Sequence, residues 1–110
     1  MQASASSELK TALDRVWTDN IELTRSRLAI VESAVLASSS SRLDTVLATS
    51  AADAAHKLAG TLGSFGLSQG TTEARRLEEL FESYVSANPM PEPELRARFE
   101  SLVAIIASRA

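Results

Sequence analysis

His56 is the only histidine in this chain of 110 residues, and it stands in the segment 55–66, AHKLAGTLGSFG. The neutral imidazole ring is a nitrogen nucleophile, and histidine side chains ordinarily titrate near pH 6.5, so the reactive form is available at neutral pH. Gly60 and Gly63 follow His56 by about one and two helical turns, on the same face of a helix. Glycine costs about 1 kcal/mol relative to alanine in a helix, so two exposed glycines indicate that another molecule approaches closely beside the imidazole.

The opposite face of this helix is apolar and predicts the side that packs into a core. Each residue advances by about 100° around a helix. Six apolar residues therefore fall on one stripe: Leu47, Ala51, Ala54, Leu58, Leu62 and Phe65. His56 falls on the other side, with these residues on its face: Thr49, Ala52, Asp53, Gly60 and Gly63. We expect an imidazole that faces solvent and is backed by packed side chains.

Composition limits the class of protein. The length and a hydrophobic content of 45% suit one packed domain, residues 1–110, with residues 1–6 expected to fray. A chain without cysteine has no disulfides and no thiolate chemistry, and a net charge of -3 disfavours general binding of nucleic acid. The N-terminus lacks the basic and apolar regions of a signal peptide, and no apolar run reaches the roughly 20 residues that span a bilayer. We expect a cytoplasmic protein that is not bound to a membrane.

Hydrophobic periodicity predicts an all-helical fold. A period of 3.6 recurs along most of the chain, and no segment of any length alternates with a period of 2. The first stripe contains Leu9, Leu13, Val16, Trp17, Ile21, Leu28, Val31 and Val35. Asp19 with Glu22 resembles a capping box, which favours a short first helix followed by a longer second one.

Turn and capping residues predict where the later helices begin and end. Serines 38–41 indicate a loop, after which Ser41 with Asp44 would cap the helix that carries His56. Gly66 would end that helix in the left-handed conformation, and Ser68 would cap the next one. The prolines of segment 88–93 break the chain, and Pro93 suits the first turn of a last helix. The apolar stripes of the last two helices are Gly70, Ala74, Leu77, Phe81, Tyr84 and Val85, and then Leu95, Phe99, Leu102 and Ile106.

Four amphipathic helices joined by short connections bury their stripes most simply as an antiparallel four-helix bundle. The short additional N-terminal helix would then cover one end of the bundle. Trp17 and Phe99 are interpreted as core residues because they fall on apolar stripes. Leu67 would either contact a partner or close the end of the bundle.

The segment around His56 resembles the histidine phosphotransfer (HPt) domain of bacterial two-component phosphorelays. The family pattern has a histidine, an apolar residue two positions later, usually a lysine, then a glycine, followed by a second glycine and a downstream Leu-Glu pair. The matching residues are His56, Leu58, Gly60, Gly66, Leu77 and Glu78. The pattern covers about a quarter of the chain.

The resemblance implies a phosphoprotein that acts in signal transduction as a stoichiometric carrier and not as an enzyme. His56 would accept a phosphoryl group from, or donate it to, the aspartate of a response-regulator receiver domain. The partners would be that receiver and a sensor or hybrid histidine kinase, of which the chain could itself be a part. The chain would need no cofactor, because the receiver provides Mg²⁺, and it would be a monomer.

One position departs from the family pattern. Ala59 stands where the family usually has lysine, a residue that helps to hold the phosphoryl oxygens. Lys57 could replace it from about 100° further around the helix, or it could simply pair with Asp53 at i, i+4. The departure also leaves an alternative function open, a helical adaptor that binds receivers or other signalling partners without phosphotransfer.

Three further residues are candidates for contact with the phosphoryl group or the partner. Ser64 could hydrogen-bond a phosphoryl oxygen, Gly63 could serve docking or close helix packing, and Arg75 could touch phosphate or steer an acidic receiver. Arg76 could do the same as Arg75. A Ser-His-Asp enzyme and an inward-facing metal or haem site fit poorly with a single histidine on a convex surface.

Overall fold

Four helices make up most of the computed structural model, which describes the backbone of residues 2–109 and the side chains of residues 7–109. They are α1 (Gln2–Ser39), α2 (Thr45–Ser64), α3 (Ser68–Val85) and α4 (Glu92–Arg109), with no strand in that range. The predicted all-helical class is therefore confirmed. The fraying expected for residues 1–6 stays a prediction: residue 1 lies outside the described part of the chain, and the backbone of residues 2–6 forms the start of α1.

Helix α1 is a single helix of 38 residues, so the predicted division into a short and a longer helix was wrong. Asp19 and Glu22 lie within the helix, where a capping box has no free N–H group to satisfy. Asn20 instead donates its side-chain amide to the carbonyl of Val16 at 2.8 Å, and Thr24 is buried on the packed face. Continuing the helix keeps every backbone hydrogen bond in this stretch, so no separate N-terminal helix forms among residues 2–39.

The exposed start of α1 corrects a second expectation. Trp17 and Val31 of the first stripe are buried, but Leu9, Leu13 and Val16 are exposed by 63%, 41% and 48%. A helix of 38 residues is about 57 Å long at 1.5 Å per residue, about twice the length of its neighbours. No described helix is long enough to cover its first turns.

Asp44, and not Ser41, caps helix α2. The Asp44 carboxylate accepts a hydrogen bond from the N–H of Leu47 at 2.8 Å. Ser41 lies earlier, in the turn that ends α1, where its φ is +56° and its N–H donates to the carbonyl of Ser38. A serine in this left-handed position cannot also reach the first turn of α2.

The turn between α2 and α3 follows the prediction in part. Gly66 adopts a φ of +73°, and the N–H of Leu67 donates to the carbonyl of Leu62 at 2.9 Å, which is the usual glycine ending of a helix. Leu67 then occupies the N-cap of α3 and packs against the core, so Ser68 is the first helical residue and does not cap it. Leu67 therefore closes the end of the bundle.

Each helix packs against two others around one core. The contacting pairs are α1 with α2, α2 with α3, α3 with α4, and α1 with α4. All four predicted core positions of α4 are buried, as is Phe81 of α3, whereas Val85 of the α3 stripe is exposed by 39%. The largest fully buried side chains include Leu58, Leu62, Leu77, Phe81, Leu95 and Leu102.

The α2 contribution to this core matters most for function, because it fixes the face on which His56 lies. A fully buried leucine stabilises the fold by roughly 1.5–3 kcal/mol. Leu58 and Leu62 are both fully buried.

Between residues 2 and 109, no helix combines the length and the apolar character that crossing a membrane requires.

Candidate functional site

His56 lies on the solvent face of α2, as the helical periodicity predicted, with 72% of its side chain exposed. One turn further on, Gly60 is also exposed, and a Cβ atom added there would meet nothing within 4 Å. The side of the imidazole toward Gly60 is therefore open. A partner group can approach the ring along this side without displacing any described side chain.

The imidazole is held from the other side by Glu78 of α3. The Nδ1 atom of His56 lies 3.0 Å from Oε2 and 3.3 Å from Oε1 of Glu78. An ionised carboxylate only accepts hydrogen bonds, so this contact assigns the proton of the neutral ring to Nδ1. The lone pair of Nε2 is left free, which makes Nε2 the nucleophilic atom.

Glu78 is a candidate functional residue to which the sequence analysis assigned no role. It appeared there only as part of the Leu-Glu pair, with no task assigned. The signal was a carboxylate 22 residues after the histidine, and this separation acquires meaning only when α3 folds back beside α2. With 22% of its side chain exposed, Glu78 is half-buried, so its contact with His56 is less screened than a surface pair.

Glu82 lies one helical turn after Glu78 and carries a second carboxyl group close to it. A hydrogen bond with the Glu78 side chain raises the pKa of Glu82 above its usual range, and desolvation and the negative charge of Glu78 act in the same direction. The protonated form of Glu82 can donate to Glu78, whereas two charged carboxylates would repel each other. Glu82 therefore adds a second carboxyl group to the polar cluster beside the imidazole.

Lys57 points away from this cluster. Its Nζ atom lies 2.9 Å from Oδ2 of Asp53, which is the i, i+4 pair that the sequence offered as one of two interpretations. Both side chains line the groove between α2 and α1, together with Leu23, Arg27 and Ile30. Lys57 is therefore on the α1 side of α2, whereas Glu78 approaches His56 from the α3 side.

Gly63 serves helix packing in this structure. A Cβ atom on Gly63 would lie 3.3 Å from the hydroxyl oxygen of Thr71, and that hydroxyl donates to the carbonyl of Ala59 at 3.0 Å. The small residues 59 and 63 thus let α3 come close to α2. Ser64 is exposed and donates its hydroxyl to the carbonyl of Gly60 at 3.1 Å, which leaves its oxygen free to accept.

Ala52 was wrongly placed on the exposed face. It is buried, with 8% exposure. By helical rotation Ala52 and Ala59 lie on the same flank of His56, toward the helix that contributes Glu78 and Thr71. The neighbouring helix α3 therefore narrows the exposed face of α2 to residues such as Asp53, His56 and Gly60.

The two adjacent arginines of α3 have different surroundings. Arg76 forms a bidentate ion pair with Glu94 of α4, and its Nη2 atom lies 2.9 Å from Oε1 of Glu94. Arg75 is exposed and enters no ion pair among the described side chains, residues 7–109. Of the two, only Arg75 is free to meet a ligand.

Comparison with known proteins agrees with this geometry. A family model described as the Hpt domain matches residues 15–108. This chain belongs to the Hpt domain family. Hpt domains are phosphocarrier modules of two-component phosphorelays that act through histidine, and the family works with receiver domains and histidine kinases. Comparisons with curated proteins and with solved structures gave no match.

This Hpt domain carries an exposed apolar row beside the histidine face. Val16, Leu23 and Ile30 of α1 follow one another at intervals of seven residues and are exposed by 39% to 48%, with Leu13 one turn before them. Leu13 and Val16 share a groove with Ser64 of α2, and Leu23 and Ile30 share the groove that holds Lys57. The row and the polar face of α2 therefore form one continuous surface.

Aromatic residues of the Hpt domain lie in the packed part of the molecule, as predicted. Trp17 is buried and meets Phe65 edge to face, with ring centroids 4.9 Å apart. The guanidinium of Arg109 lies 5.2 Å from the centre of the Trp17 ring. Phe99 is 9% exposed and also belongs to the core. Through Phe65 and Arg109, Trp17 joins α1 to the C-terminal ends of α2 and α4.

Proposed function

We propose that His56 is the phosphoryl acceptor of this Hpt domain and exchanges the group with the aspartate of a response-regulator receiver domain. The observation that carries the proposal is the exposed imidazole whose Nδ1 atom is bonded to Glu78 at 3.0 Å while Gly60 leaves the approach open. The domain itself acts as a stoichiometric carrier.

The transfer step follows from the tautomer of His56. The Nε2 lone pair attacks the phosphorus of an aspartyl phosphate, and the bond between phosphorus and the aspartate oxygen breaks with its electron pair returning to the carboxylate. The ring then carries the proton on Nδ1, the phosphoryl group on Nε2 and a positive charge. Glu78 accepts the Nδ1 hydrogen bond and stabilises that charge, so the step needs no further reactant.

The space at Gly60 supports an approach in line with Nε2. The phosphoryl group passes through a loose transition state in which positioning and charge stabilisation supply most of the catalysis. Any side chain at position 60 would stand beside this path, because residues four apart lie on the same helical face. The receiver would supply the Mg²⁺ that neutralises charge in this step.

The architecture supports the same assignment. Contacts between distant residues favour an antiparallel four-helix bundle, since Arg109 pairs with Asp14 while Arg96 bonds Ser39 at the other end of α1. In this arrangement the polar face of α2 and the apolar row of α1 (Leu13, Val16, Leu23 and Ile30) point to the same side. We assign this combined surface to the receiver.

The test mixes the purified chain with a panel of phosphorylated receivers and measures the phosphate that moves to it. We expect acid-labile, base-stable phosphate on the wild-type chain and none on His56→Gln. Replacing Val16 with Glu should raise the receiver concentration needed for half-maximal transfer, whereas Val103→Glu on α4 serves as the matched exposed control. Equal labelling of His56→Gln and the wild-type chain would refute the assignment.

The replacement of lysine by Ala59 is the observation that favours a second candidate, an adaptor that binds receivers without transferring phosphate. Such an adaptor would bind a phosphorylated receiver saturably, and the receiver would keep its labelled phosphate. The same panel therefore separates the two functions, because binding and label are measured on the same samples.

A further inference from the structure

Ala59 leaves the phosphoryl site of this domain without the cation that the resemblance to HPt domains predicted at that position. The phosphoryl group carries negative charge on three oxygens during transfer, and a guanidinium or ammonium group beside them is the usual way to stabilise it. Another basic side chain would therefore have to reach a group bound at Nε2 of His56.

The contacts between α2 and α3 place Arg75 beside His56. Thr71 of α3 bonds the carbonyl of Ala59, and Glu78 of α3 bonds His56. Arg75 lies between Thr71 and Glu78 along α3, so its backbone is level with the segment of α2 that holds His56 and Ala59. The two contacts fix this register independently of each other.

Arg75 also lies on the correct face of α3. Positions 71, 75, 78 and 82 recur at intervals of four, three and four, which puts them on one side of a helix. Thr71 and Glu78 mark where this side meets α2. Arg75 is exposed, so its long side chain starts at the solvent-facing edge of the contact between α2 and α3 and has the length to reach a group bound to the imidazole.

The other basic residues near the site are committed elsewhere. Lys57 is bonded to Asp53 on the α1 side, and Arg27 donates to the hydroxyl of Thr61 at 3.4 Å in the same groove. Arg76 is engaged by Glu94. Arg75 has Glu79 one turn further along α3, but no ion pair joins the two in the described structure.

We infer that Arg75 is the phosphoryl-binding cation of this domain and replaces, from the neighbouring helix, the lysine that Ala59 lacks. Its planar guanidinium can form two parallel hydrogen bonds to phosphoryl oxygens, which a lysine cannot do. Glu78 and Arg75 then divide the work, with the carboxylate stabilising the ring and the guanidinium stabilising the phosphoryl oxygens. The inference rests on the proposed role of His56.

The experiment uses the full chain with phosphoramidate, a small donor that needs no receiver surface, and follows phosphorylation of His56 by ³¹P NMR. We expect Arg75→Ala to slow the reaction on the order of 10- to 100-fold, the loss expected for one or two charge-assisted hydrogen bonds. Arg75→Lys should recover part of the rate.

Two controls separate binding of the phosphoryl group from general effects. Arg42→Ala removes the same charge from the loop before α2 and should react like the wild-type chain. In the phosphorylated state, the ³¹P resonance should titrate at a higher pH in Arg75→Ala, because the nearby guanidinium favours the more negative phosphoryl form. A purely structural effect would not move this titration.

Each outcome has a distinct meaning. An Arg75→Ala rate within about twofold of the wild type, which is under about 0.5 kcal/mol, would overturn the role of Arg75 while leaving that of His56 intact. A larger loss in Lys57→Ala than in Arg75→Ala would overturn it in favour of Lys57. A wild-type chain that takes up no phosphoryl group at His56 would overturn the proposed function and this inference with it.

Discussion

At the scale of single residues, the contact between Glu78 and His56 determines which imidazole nitrogen is free to act in the proposed transfer. A free imidazole distributes its proton between two nitrogens, and only the form with the proton on Nδ1 presents Nε2 for attack. A half-buried carboxylate 3.0 Å from Nδ1 selects that form without covering Nε2. Exposure and orientation are thus provided by different helices.

A substitution at Glu78 tests this selection. We expect Glu78→Ala to move the neutral ring toward the form with the proton on Nε2 and to slow phosphorylation by roughly 10- to 150-fold, since a hydrogen bond to a charged group contributes about 1.5–3 kcal/mol when it is well formed. Nitrogen-15 NMR of the imidazole measures the tautomer directly. An unchanged tautomer ratio in Glu78→Ala would rule out the orienting role. Glu79→Ala, one residue further along α3, is the matched control.

Gly60 and Gly70 provide a paired test of what glycine does in this fold. Gly60→Ala should raise the free energy of unfolding by about 0.5–1 kcal/mol, because alanine is the better helix former and nothing lies within 4 Å of the added atom. Phosphotransfer from a receiver should nevertheless slow, and Gly60→Lys should slow it further. Urea titration and a transfer assay on the same variants separate the two effects.

Gly70→Ala should have the opposite effect on stability. Its Cβ would lie 2.9 Å from Leu62 and 3.2 Å from Ile105, in the core where Leu62 is fully buried. Overpacking costs typically about 1–3 kcal/mol, more than the gain in helix propensity. A more stable Gly70→Ala protein would show that Leu62 of α2 and Ile105 of α4 can shift to admit the methyl group.

The helix boundaries show how tertiary contacts select among local signals at the scale of elements. The sequence predicted that Ser41, together with Asp44, would cap α2, but Asp44 is itself the cap because Ser41 lies in the left-handed turn that ends α1. The box at Asp19 and Glu22 has the residue types of a helix start, yet α1 continues through it. Buried residues on both sides of that point, Trp17 and Thr24, make a continuous helix more stable than a turn.

Capping of α2 can be tested by two substitutions. Asp44→Ala should lower the free energy of unfolding by about 0.5–2 kcal/mol, since it leaves the Leu47 N–H without its partner. Ser41→Gly should be neutral or stabilising, because glycine adopts a positive φ without a steric penalty. Thermal unfolding followed by circular dichroism distinguishes them. A larger loss at Ser41 than at Asp44 would restore the cap that the sequence suggested.

At the scale of the whole molecule, ion pairs between helices join α4 to α1 and α3. Arg76 holds the pKa of Glu94 below its usual range, and hydrogen bonds from Lys10 and then Arg109 do the same for Asp14. A carboxylate whose pKa is lower in the folded state than in the unfolded state stabilises the fold at pH values above its unfolded-state pKa. That contribution is lost as the pH falls through the lower, folded value.

Acid unfolding should therefore depend on Glu94. The loss of its contribution begins below about pH 4.5, the value from which its pKa is lowered. We expect Glu94→Gln to reduce stability at neutral pH and to flatten its decline between neutral and acid pH, with Glu100→Gln on the same helix as the control. Denaturant midpoints measured across this range provide the check. A decline as steep as that of the wild type would place the acid sensitivity elsewhere.

Local patterns in the chain determined the helical class, the solvent face of His56, the apolar back of α2 and the left-handed glycine after it. These properties depend on residues a few positions apart, so periodicity and backbone sterics suffice to predict them. The same patterns could not place Glu78, Arg75 or Ala52 relative to the imidazole. Nor could they show that Leu13 and Val16 stay exposed.

Tertiary structure decided these points, for one physical reason. Which side of α2 is covered depends on the direction from which α3 approaches, and that direction is set by close packing of small residues such as Gly63 and Gly70 against another helix. The side chain of Glu78 is 22 residues from His56 along the chain and 3.0 Å from it in space. The proposed phosphoryl acceptor can be recognised in the sequence, but its orientation and its electrostatic surroundings depend on the folded bundle.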